Sequence, residues 1–250
     1  MTIHIFNDNP LIGDALGSYP FMLHFARTEK VYVTGPLNQL VKDLVDASNL
    51  IYAEPPEAVN QRSTLHPMNS MRYCSTNRPN THMAQGYFGQ FQLAIPPLPM
   101  RVPFKETEIE ETADIVIAPF SFSDAAYIKR WPQEKWIQFI KHFSPAHKVY
   151  IVGGPIDDAS WAIEAGAHPF LCHPLSDVYA LLKRAKVVVT VDTSISHMCH
   201  FGGISHHVLL FPNTLPRGFA ETPIGVQVKG PSNTAISVEE VIAATNQFLI

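Results

Sequence analysis

Two clusters of polar residues could carry chemistry, and each follows an apolar segment with the pattern of a strand. Asp14 comes soon after the first such segment, beside Gly13, a residue type that permits close approach of backbone or ligand. A carboxylate placed there could act as a general base and take the proton of an attacking hydroxyl group. Aspartate is also a favoured helix N-cap, so the sequence leaves this structural role open beside the catalytic one.

The second cluster is Asp192-Thr193-Ser194, which follows the valine-rich residues 187 to 191 and precedes a predicted helix. Amides at a helix N-terminus can bind a diphosphate, and the hydroxyls of Thr193 and Ser194 add further donors. His197 lies near the first turn of this helix, where it could contact phosphate or satisfy a buried polar group. Capping by Asp192 explains the same pattern without a ligand.

Two further signals are less specific. Lys129 precedes a Trp-Pro pair in a loop of the second half, where its charge could neutralise a leaving diphosphate, although such lysines are usually solvated. The turn Gly153-Gly154-Pro155 ends a predicted strand, but neither a complete GxGxxG fingerprint nor a P-loop follows it. Their absence argues against a kinase, an ATPase and an NAD-dependent oxidoreductase.

The order of the segments predicts an α/β protein with two Rossmann-like domains. Strand-like and helical segments alternate in both halves of the chain, which favours parallel sheets with right-handed crossovers. A proline-rich and then acidic stretch over residues 95 to 112 marks the boundary. We therefore predict a reduced N-terminal domain over 1–112 and a C-terminal domain over 113–250, which ends in a closing helix capped at Ser237. Because ligands bind beyond the carboxyl ends of parallel strands, the sheets are expected to face each other across a cleft.

Three local predictions concern less regular segments. Residues 37 to 47 have a helical pattern, whereas residues 55 to 79 keep no steady period and are predicted to be irregular. Ser176 is predicted to cap the helix that runs to Lys186. The sequence assigns no role to residues 55 to 80.

The composition narrows the function classes. The 250 residues are 46% hydrophobic and 16% charged, enough for one large core or two small ones, and the net charge of -4 gives no global attraction to nucleic acid. The 3 cysteines form no CxxC pair and the 12 histidines form no spaced ligand set, so no metal site is predicted. No signal-peptide core and no apolar run of about 18 residues is present, so we expect a cytoplasmic protein without a membrane span.

Together these segments resemble glycosyltransferase family 9, the ADP-heptose:lipopolysaccharide heptosyltransferase-like enzymes with a GT-B fold. Gly13-Asp14 is similar to the Gly-Asp pair that follows the first strand in that family. Residues 129 to 132 are similar to its Lys-x-Trp-Pro element, and residues 153 to 158 to its glycine-rich turn with acidic residues. Residues 174 to 197 resemble the helix and strand that end in its Asp-Thr-Gly-x-x-His motif.

The resemblance implies an inverting, metal-independent glycosyltransferase that moves a sugar from a nucleotide diphosphate sugar to an acceptor hydroxyl of a glycan or lipid-linked glycan. It implies that Asp14 is the catalytic base and that Lys129 contacts the diphosphate. No cofactor is implied, because the nucleotide sugar is a substrate. Ser194 stands where the family has glycine. The implied donor-binding residues are Gly13, Ser121, Lys129, Gly154, Asp157, Asp192, Thr193, Ser194 and His197.

Two alternatives stay open. A compact GT-B enzyme could glycosylate a modified nucleic-acid base or a protein, although the acidic net charge counts against nucleic acid. A non-enzymatic nucleotide-sugar binding module is compatible with Ser194, whereas Asp14 favours an enzyme because a binding module needs no base. The donor sugar, the nucleotide base, the acceptor and the oligomeric state do not follow from the sequence.

Overall fold

The computed structural model of the chain describes residues 2–9, 11–55, 59, 61–65, 82–121, 126–212 and 224–249. The chain divides into two compact units. The first contains Met1–Lys105 with His200–Gly202, and the second contains Glu106–Cys199, Gly203–Leu215 and Ile224–Ile250. Each unit alternates helices with strands around its own parallel sheet, which confirms the predicted α/β fold with two Rossmann-like sheets.

The described residues of the first unit form a four-stranded parallel sheet in the order β3-β2-β1-β4. Strand β1 lies in the middle and pairs in parallel with both β2 and β4. The strands are β1 (Thr2–Asn7), β2 (Lys30–Thr34), β3 (Leu50–Ile51) and β4 (Gln61–Leu65), and the helices are α1 (Ile12–Ala26), α2 (Asn38–Val41) and α3 (Met83–Gln90).

One face of the first sheet forms a core with helix α1. Alternate strand residues point inward, so Ile3, Ile5, Val31 and Val33 are fully buried. Helix α1 contacts β1, β2 and β3. The inward residues therefore fix where α1 begins, and with it the loop that leaves β1.

Helix α3 packs on α1 where a glycine leaves room. A Cβ atom at Gly17 would lie 2.5 Å from the Cε atom of Met83, so the two helices approach closely there. Further along, the rings of Phe21 and Phe88 meet edge to face with centroids 5.4 Å apart. These contacts hold α3 against the helix that carries Asp14.

Among the described residues, the opposite face of the first sheet is partly exposed. Phe6 is 39% exposed, and Arg62 and Thr64 of β4 are exposed as well. A strand that is buried on only one face does not need the continuous apolar run that is typical of parallel strands. The prediction that residues 55 to 79 are irregular is therefore wrong for β4, and most of the rest of that segment lies outside the described residues.

The predicted helix over residues 37 to 47 is cut short. Helix α2 covers only Asn38–Val41, and Val45 then forms an antiparallel bridge with Phe104. Backbone bonds on both sides of the bridge support it, including a bond of 2.7 Å from the amide of Lys105 to the carbonyl of Leu44. Pairing with a distant segment thus overrides the local helical pattern.

The described residues of the second unit form a six-stranded parallel sheet in the order β10-β9-β8-β5-β6-β7. Every residue of the central strand β8 is buried, as its apolar sequence predicts. The strands are β5 (Ile115–Ala118), β6 (Val149–Gly153), β7 (His168–Leu171), β8 (Val187–Val191), β9 (His207–Pro212) and β10 (Val226–Gly230). The helices are α4 (Ala126–Lys129), α5 (Gln133–Phe143), α6 (Ser160–Glu164), α7 (Leu175–Arg184), α8 (Ser194–Gly202) and α9 (Val238–Asn246). The end of α8, His200–Gly202, belongs to the first unit.

Two predicted helix caps have different outcomes. Ser237 caps α9 in a complete capping box, in which its Oγ atom accepts from the amide of Glu240 at 3.2 Å and the Glu240 carboxylate accepts from the amide of Ser237 at 2.8 Å. The cap predicted at Ser176 is wrong. Helix α7 begins at Leu175 after Pro174, whose fixed φ starts the helix before Ser176 is reached.

A histidine is buried between β8 and β9. The Nε2 atom of His207 lies 2.8 Å from the Oγ1 atom of Thr190, and both residues are almost completely buried. Burial, which would cost the imidazolium its hydration, and nearby His206 together lower the pKa of His207 from 6.5 to about 3. At neutral pH the His207 ring is therefore uncharged in the folded protein.

We expect the free energy of unfolding to fall as the pH is lowered from 6.5 towards 3. In this interval the unfolded chain binds a proton at His207 and the folded chain does not, so unfolding takes up a proton. Thermal melting of the wild type and of His207→Gln at several pH values between about 7 and 4 measures this contribution. Glutamine keeps a partner for Thr190 without titrating, so an equally steep loss of Tm in both proteins would contradict the assignment.

Candidate active site

The candidate site residues of the second unit follow three neighbouring strands. Asp192 follows β8, Ser121 lies shortly after β5 and Gly154 follows β6. These strands are adjacent and parallel, so their carboxyl ends lie at one edge of the sheet. This is the edge at which open α/β sheets bind ligands.

A buried group of opposite charges lies at the end of β8. The Nζ atom of Lys129 is 2.7 Å from an Oδ atom of Asp192, and the Asp192 side chain is only 1% exposed. The Nε2 atom of His197 is 3.7 Å from the other carboxylate oxygen, which is too long for a hydrogen bond. The structure thus brings together three residues that the sequence places in the donor pocket. Because two buried charges depend on each other, Asp192 holds the Lys129 ammonium group in place.

The backbone of Lys129 is held by a distant segment. The side-chain amide of Asn233 donates to the carbonyl oxygen of Lys129, and Asn233 is completely buried. Two neighbours of Lys129 bind the same segment: the indole of Trp131 and the ammonium group of Lys135 donate to the carbonyl of Ile236 at 3.0 and 2.7 Å. Asn233 was not predicted as a site residue, because no local pattern in the sequence connects residues 104 positions apart.

Hydrogen bonds within the turn stabilise the start of α8. The helix begins at Ser194, and the Oγ1 atom of Thr193 accepts from the amide of Ile195 at 3.3 Å. The amide of Thr193 in turn donates to the Oγ atom of Ser196 at 3.1 Å. The alternative that Asp192 caps this helix is therefore wrong, because Thr193 does so and the Asp192 carboxylate pairs with Lys129 instead. Thr193 and Ser194 remain partly exposed.

Ser121 and the glycine turn contribute in different ways. The Ser121 hydroxyl donates to the carbonyl of Asp192 at 3.4 Å, which links the ends of β5 and β8. The Asp157 carboxylate accepts from the amide of Gly154 at 2.6 Å and so closes the turn after β6. Partial burial raises the pKa of Asp157, and the bond from Gly154 only partly opposes this shift. A Cβ atom at Gly153 would lie 3.0 Å from that carboxylate, so the turn suits glycine.

Gly13 and Asp14 lie in the first unit, in the first turn of α1. The helix begins at Ile12 with Leu11 as its N-cap residue, so Asp14 is the third residue of the helix. The alternative that Asp14 is the N-cap is therefore wrong. Its charge still favours the positive end of the helix. Asn9 lies in the loop before α1, and its side chain bonds with Tyr87 of α3. Sequence analysis missed this contact.

The described part of the chain has neither a cluster of metal ligands nor a membrane-spanning helix. No group of three or more His, Cys, Asp or Glu residues within it could hold a metal ion. Within the same residues, no helix is both long and apolar enough to cross a membrane.

The sequence model of glycosyltransferase family 9 (heptosyltransferase) matches residues 73–227, more than half of the chain. The chain belongs to glycosyltransferase family 9. The match includes Lys129, Asp192 and His197 of this family 9 protein, whereas Asp14 lies before it. The resemblance inferred from the motifs is thus confirmed. No curated protein matches the sequence.

The solved structures that share this fold include the following three glycosyltransferases. TibC, an iron-containing dodecameric glycosyltransferase from enterotoxigenic E. coli H10407, is 19% identical with a TM-score of 0.69, and the match covers 90% of the family 9 protein and 61% of TibC. A family 9 glycosyltransferase from Veillonella parvula DSM 2008 is 15% identical with a TM-score of 0.74, covering 99% and 97% of the two chains. E. coli heptosyltransferase WaaC with ADP is 13% identical with a TM-score of 0.68, covering 99% of each. The family 9 protein thus has the predicted GT-B fold and spans 61% of the length of TibC.

Proposed function

We propose that this family 9 protein is an inverting, metal-independent glycosyltransferase that moves a sugar from a nucleotide diphosphate sugar to a hydroxyl group of a glycan or lipid-linked glycan. The observation that carries the proposal is the buried group formed by Lys129, Asp192 and His197 at the carboxyl end of β8. This group places a fixed cation near the N-terminus of helix α8, and all of these residues lie within the part of the chain that matches the family.

Lys129 supplies the positive charge that the departing diphosphate needs. As the bond between the sugar and the phosphate breaks, negative charge grows on the phosphate oxygen, and a preorganised ammonium group stabilises it. Asn233 and Asp192 fix Lys129 at its backbone and at its side chain, so little reorganisation is needed. Because a lysine supplies this charge, the proposed reaction needs no divalent cation.

The turn after β8 supplies neutral donors for the same diphosphate. The hydroxyls of Thr193 and Ser194 are partly exposed, and the turn lies at the positive end of α8. WaaC has been solved with ADP, and TibC with ADP-D-β-D-heptose. By analogy we propose an ADP-linked sugar as the donor of this protein.

Asp14 is the proposed base. The acceptor oxygen attacks the anomeric carbon, its proton passes to the Asp14 carboxylate, and the bond from that carbon to the phosphate oxygen breaks with its electron pair leaving on the nucleotide diphosphate. This single displacement inverts the anomeric centre. Water can take the place of the acceptor and yields the free sugar and ADP. Release of ADP from ADP-D-β-D-heptose is therefore an assay that needs no identified acceptor.

Thermal denaturation in the presence of ADP, UDP, GDP or CMP tests the donor class. A ligand that binds only the folded protein stabilises it by about 2.7 kcal/mol at 100 times its Kd, and we expect this stabilisation with ADP but not with CMP. Adenosine serves as the control, because it lacks the diphosphate that Lys129 would bind. Equal stabilisation by ADP and adenosine, or none by any nucleoside diphosphate, would exclude the proposed donor site.

A further inference from the structure

A chain of buried polar side chains lies at the end of β1. The Tyr87 hydroxyl donates to the Oδ1 atom of Asn9 at 3.0 Å, and the Asn9 side-chain amide donates to the Oδ1 atom of Asn7. Tyr87 and Asn9 are completely buried, and Asn7 is 3% exposed. Polar groups buried this deeply are costly unless they are bonded, so the three side chains depend on one another.

This chain connects the loop before α1 to helix α3. Asn7 is the last residue of β1, Asn9 lies in the loop that leads to α1, and Tyr87 belongs to α3. Helix α3 is itself held against α1 through Gly17 and Met83. The hydroxyl of Tyr87 is therefore held in place, and it fixes the position of the loop before α1.

The charge of Asp14 acts on this hydroxyl. The pKa of Tyr87 is raised well above its usual value, chiefly because the phenol is buried; the bond to Asn9 opposes this rise, and the charge of Asp14 adds to it. Tyr87 therefore stays protonated at any working pH. It donates its one proton to Asn9.

We propose that Tyr87 is a positioning residue for Asp14, acting through its bond to Asn9, which holds the loop between β1 and α1. The proposal rests on the proposed role of Asp14 as the base. Tyr87 touches neither donor nor acceptor in this scheme. Its hydroxyl fixes the start of α1, and with it the direction from which the Asp14 carboxylate receives the proton.

The chain offers a matched control in Tyr19. This tyrosine is also completely buried in the first unit, and its hydroxyl lies 2.8 Å from the hydroxyl of Tyr52. Burial also raises its pKa well above the usual value. Tyr19→Phe and Tyr87→Phe thus delete the same group from equally buried sites, but only Tyr87 bonds to the loop before α1.

The test combines amide hydrogen exchange of residues 7 to 14 with steady-state release of ADP from ADP-D-β-D-heptose in water. In Tyr87→Phe we expect faster exchange in this segment and a kcat lowered by about 10-fold, with the KM for the donor unchanged, because a misplaced base slows only the chemical step. In Tyr19→Phe we expect neither change. Unchanged exchange in Tyr87→Phe, or an equal loss of kcat in both variants, would overturn the proposal.

Two further variants keep the result interpretable. If Tyr87→Phe folds poorly because the Oδ1 atom of Asn9 loses its donor, the triple variant Tyr87→Phe, Asn9→Leu, Asn7→Leu removes all three polar side chains, and we expect better folding with the same low kcat. Asp14→Asn is assayed in parallel. If Asp14→Asn loses turnover while Tyr87→Phe keeps it, only the positioning role fails. If Asp14→Asn keeps full turnover, the base assignment fails and the role of Tyr87 with it.

Discussion

Replacing Asp14 with asparagine should lower turnover by about 10²-fold or more while leaving donor affinity nearly unchanged. Asparagine keeps the shape of the side chain but cannot take the acceptor proton. The position of Asp14 makes this a clean experiment, since it is the third residue of α1 and not its N-cap. Stability should fall by no more than about 0.3–1 kcal/mol, the value of one charge near a helix N-terminus.

The measurements for Asp14→Asn are the rate of ADP release from ADP-D-β-D-heptose, the affinity for ADP and the melting temperature. Asp8 provides the control, because it is a carboxylate in the loop just before α1. Asp8→Asn removes a charge of the same sign from the loop just before that helix and should keep nearly full turnover. Asp14→Asn with wild-type turnover, or the same large loss in both variants, would remove Asp14 from the mechanism.

Replacing Lys129 with methionine should weaken ADP binding by about 10- to 100-fold and leave adenosine binding nearly unchanged. A charged hydrogen bond contributes about 1.5–3 kcal/mol, and only ADP carries the diphosphate. The same change should also destabilise the fold, because it leaves Asp192 buried without its cation. Breaking a buried ion pair from one side typically costs about 3–5 kcal/mol. Lys129→Met alone therefore combines a ligand effect with a folding effect.

The double variant Lys129→Met, Asp192→Asn separates these effects. Removal of both charges eliminates the unpaired buried carboxylate, so much of the lost melting temperature should return. ADP affinity should stay low, because the phosphate still lacks its cation. Calorimetry with ADP and adenosine, together with thermal melting, measures both quantities. Recovery of ADP affinity in step with the melting temperature would mean that Lys129 acts only on the fold.

The second unit is predicted well from the sequence because its strands are buried on both faces. Strand β8 has the predicted bounds, and the closing helix has its predicted capping box. Buried parallel strands need apolar runs, and such runs are visible in a single sequence. Strand β10 was not predicted, because Gln227 and Lys229 interrupt its apolar run. Polar residues fit there because most of the strand is only half-buried.

The first unit is harder to predict because the described residues on one face of its sheet are partly exposed. The sequence of strand β4 is mostly polar. Among its residues whose side chains are described, Leu65 is the only one buried in the core. The end of α2 depends on the bridge between Val45 and Phe104, which no local pattern encodes. Tertiary contacts decide both outcomes.

The candidate site is predicted only where spacing along the chain carries the signal. The motifs placed Lys129, Asp192 and His197 in one pocket, and the structure brings their side chains together. The residues that support them are invisible in the motifs, because Asn233 and Tyr87 act through contacts with segments far away in sequence. Single-sequence analysis thus finds the charged groups but not what holds them.

The bond from Asn233 to the carbonyl of Lys129 has a consequence for mutational scanning. Residues 233 to 236 share no motif with the pocket, yet they fix the backbone on which its cation stands. Substitutions there should therefore separate from ordinary core substitutions, since they would lose nucleotide affinity before they lose solubility or expression. A mutational scan would then show that substitutions around residue 129 and around residue 233 both lower nucleotide affinity. The two segments form one functional unit, although they are far apart in the sequence.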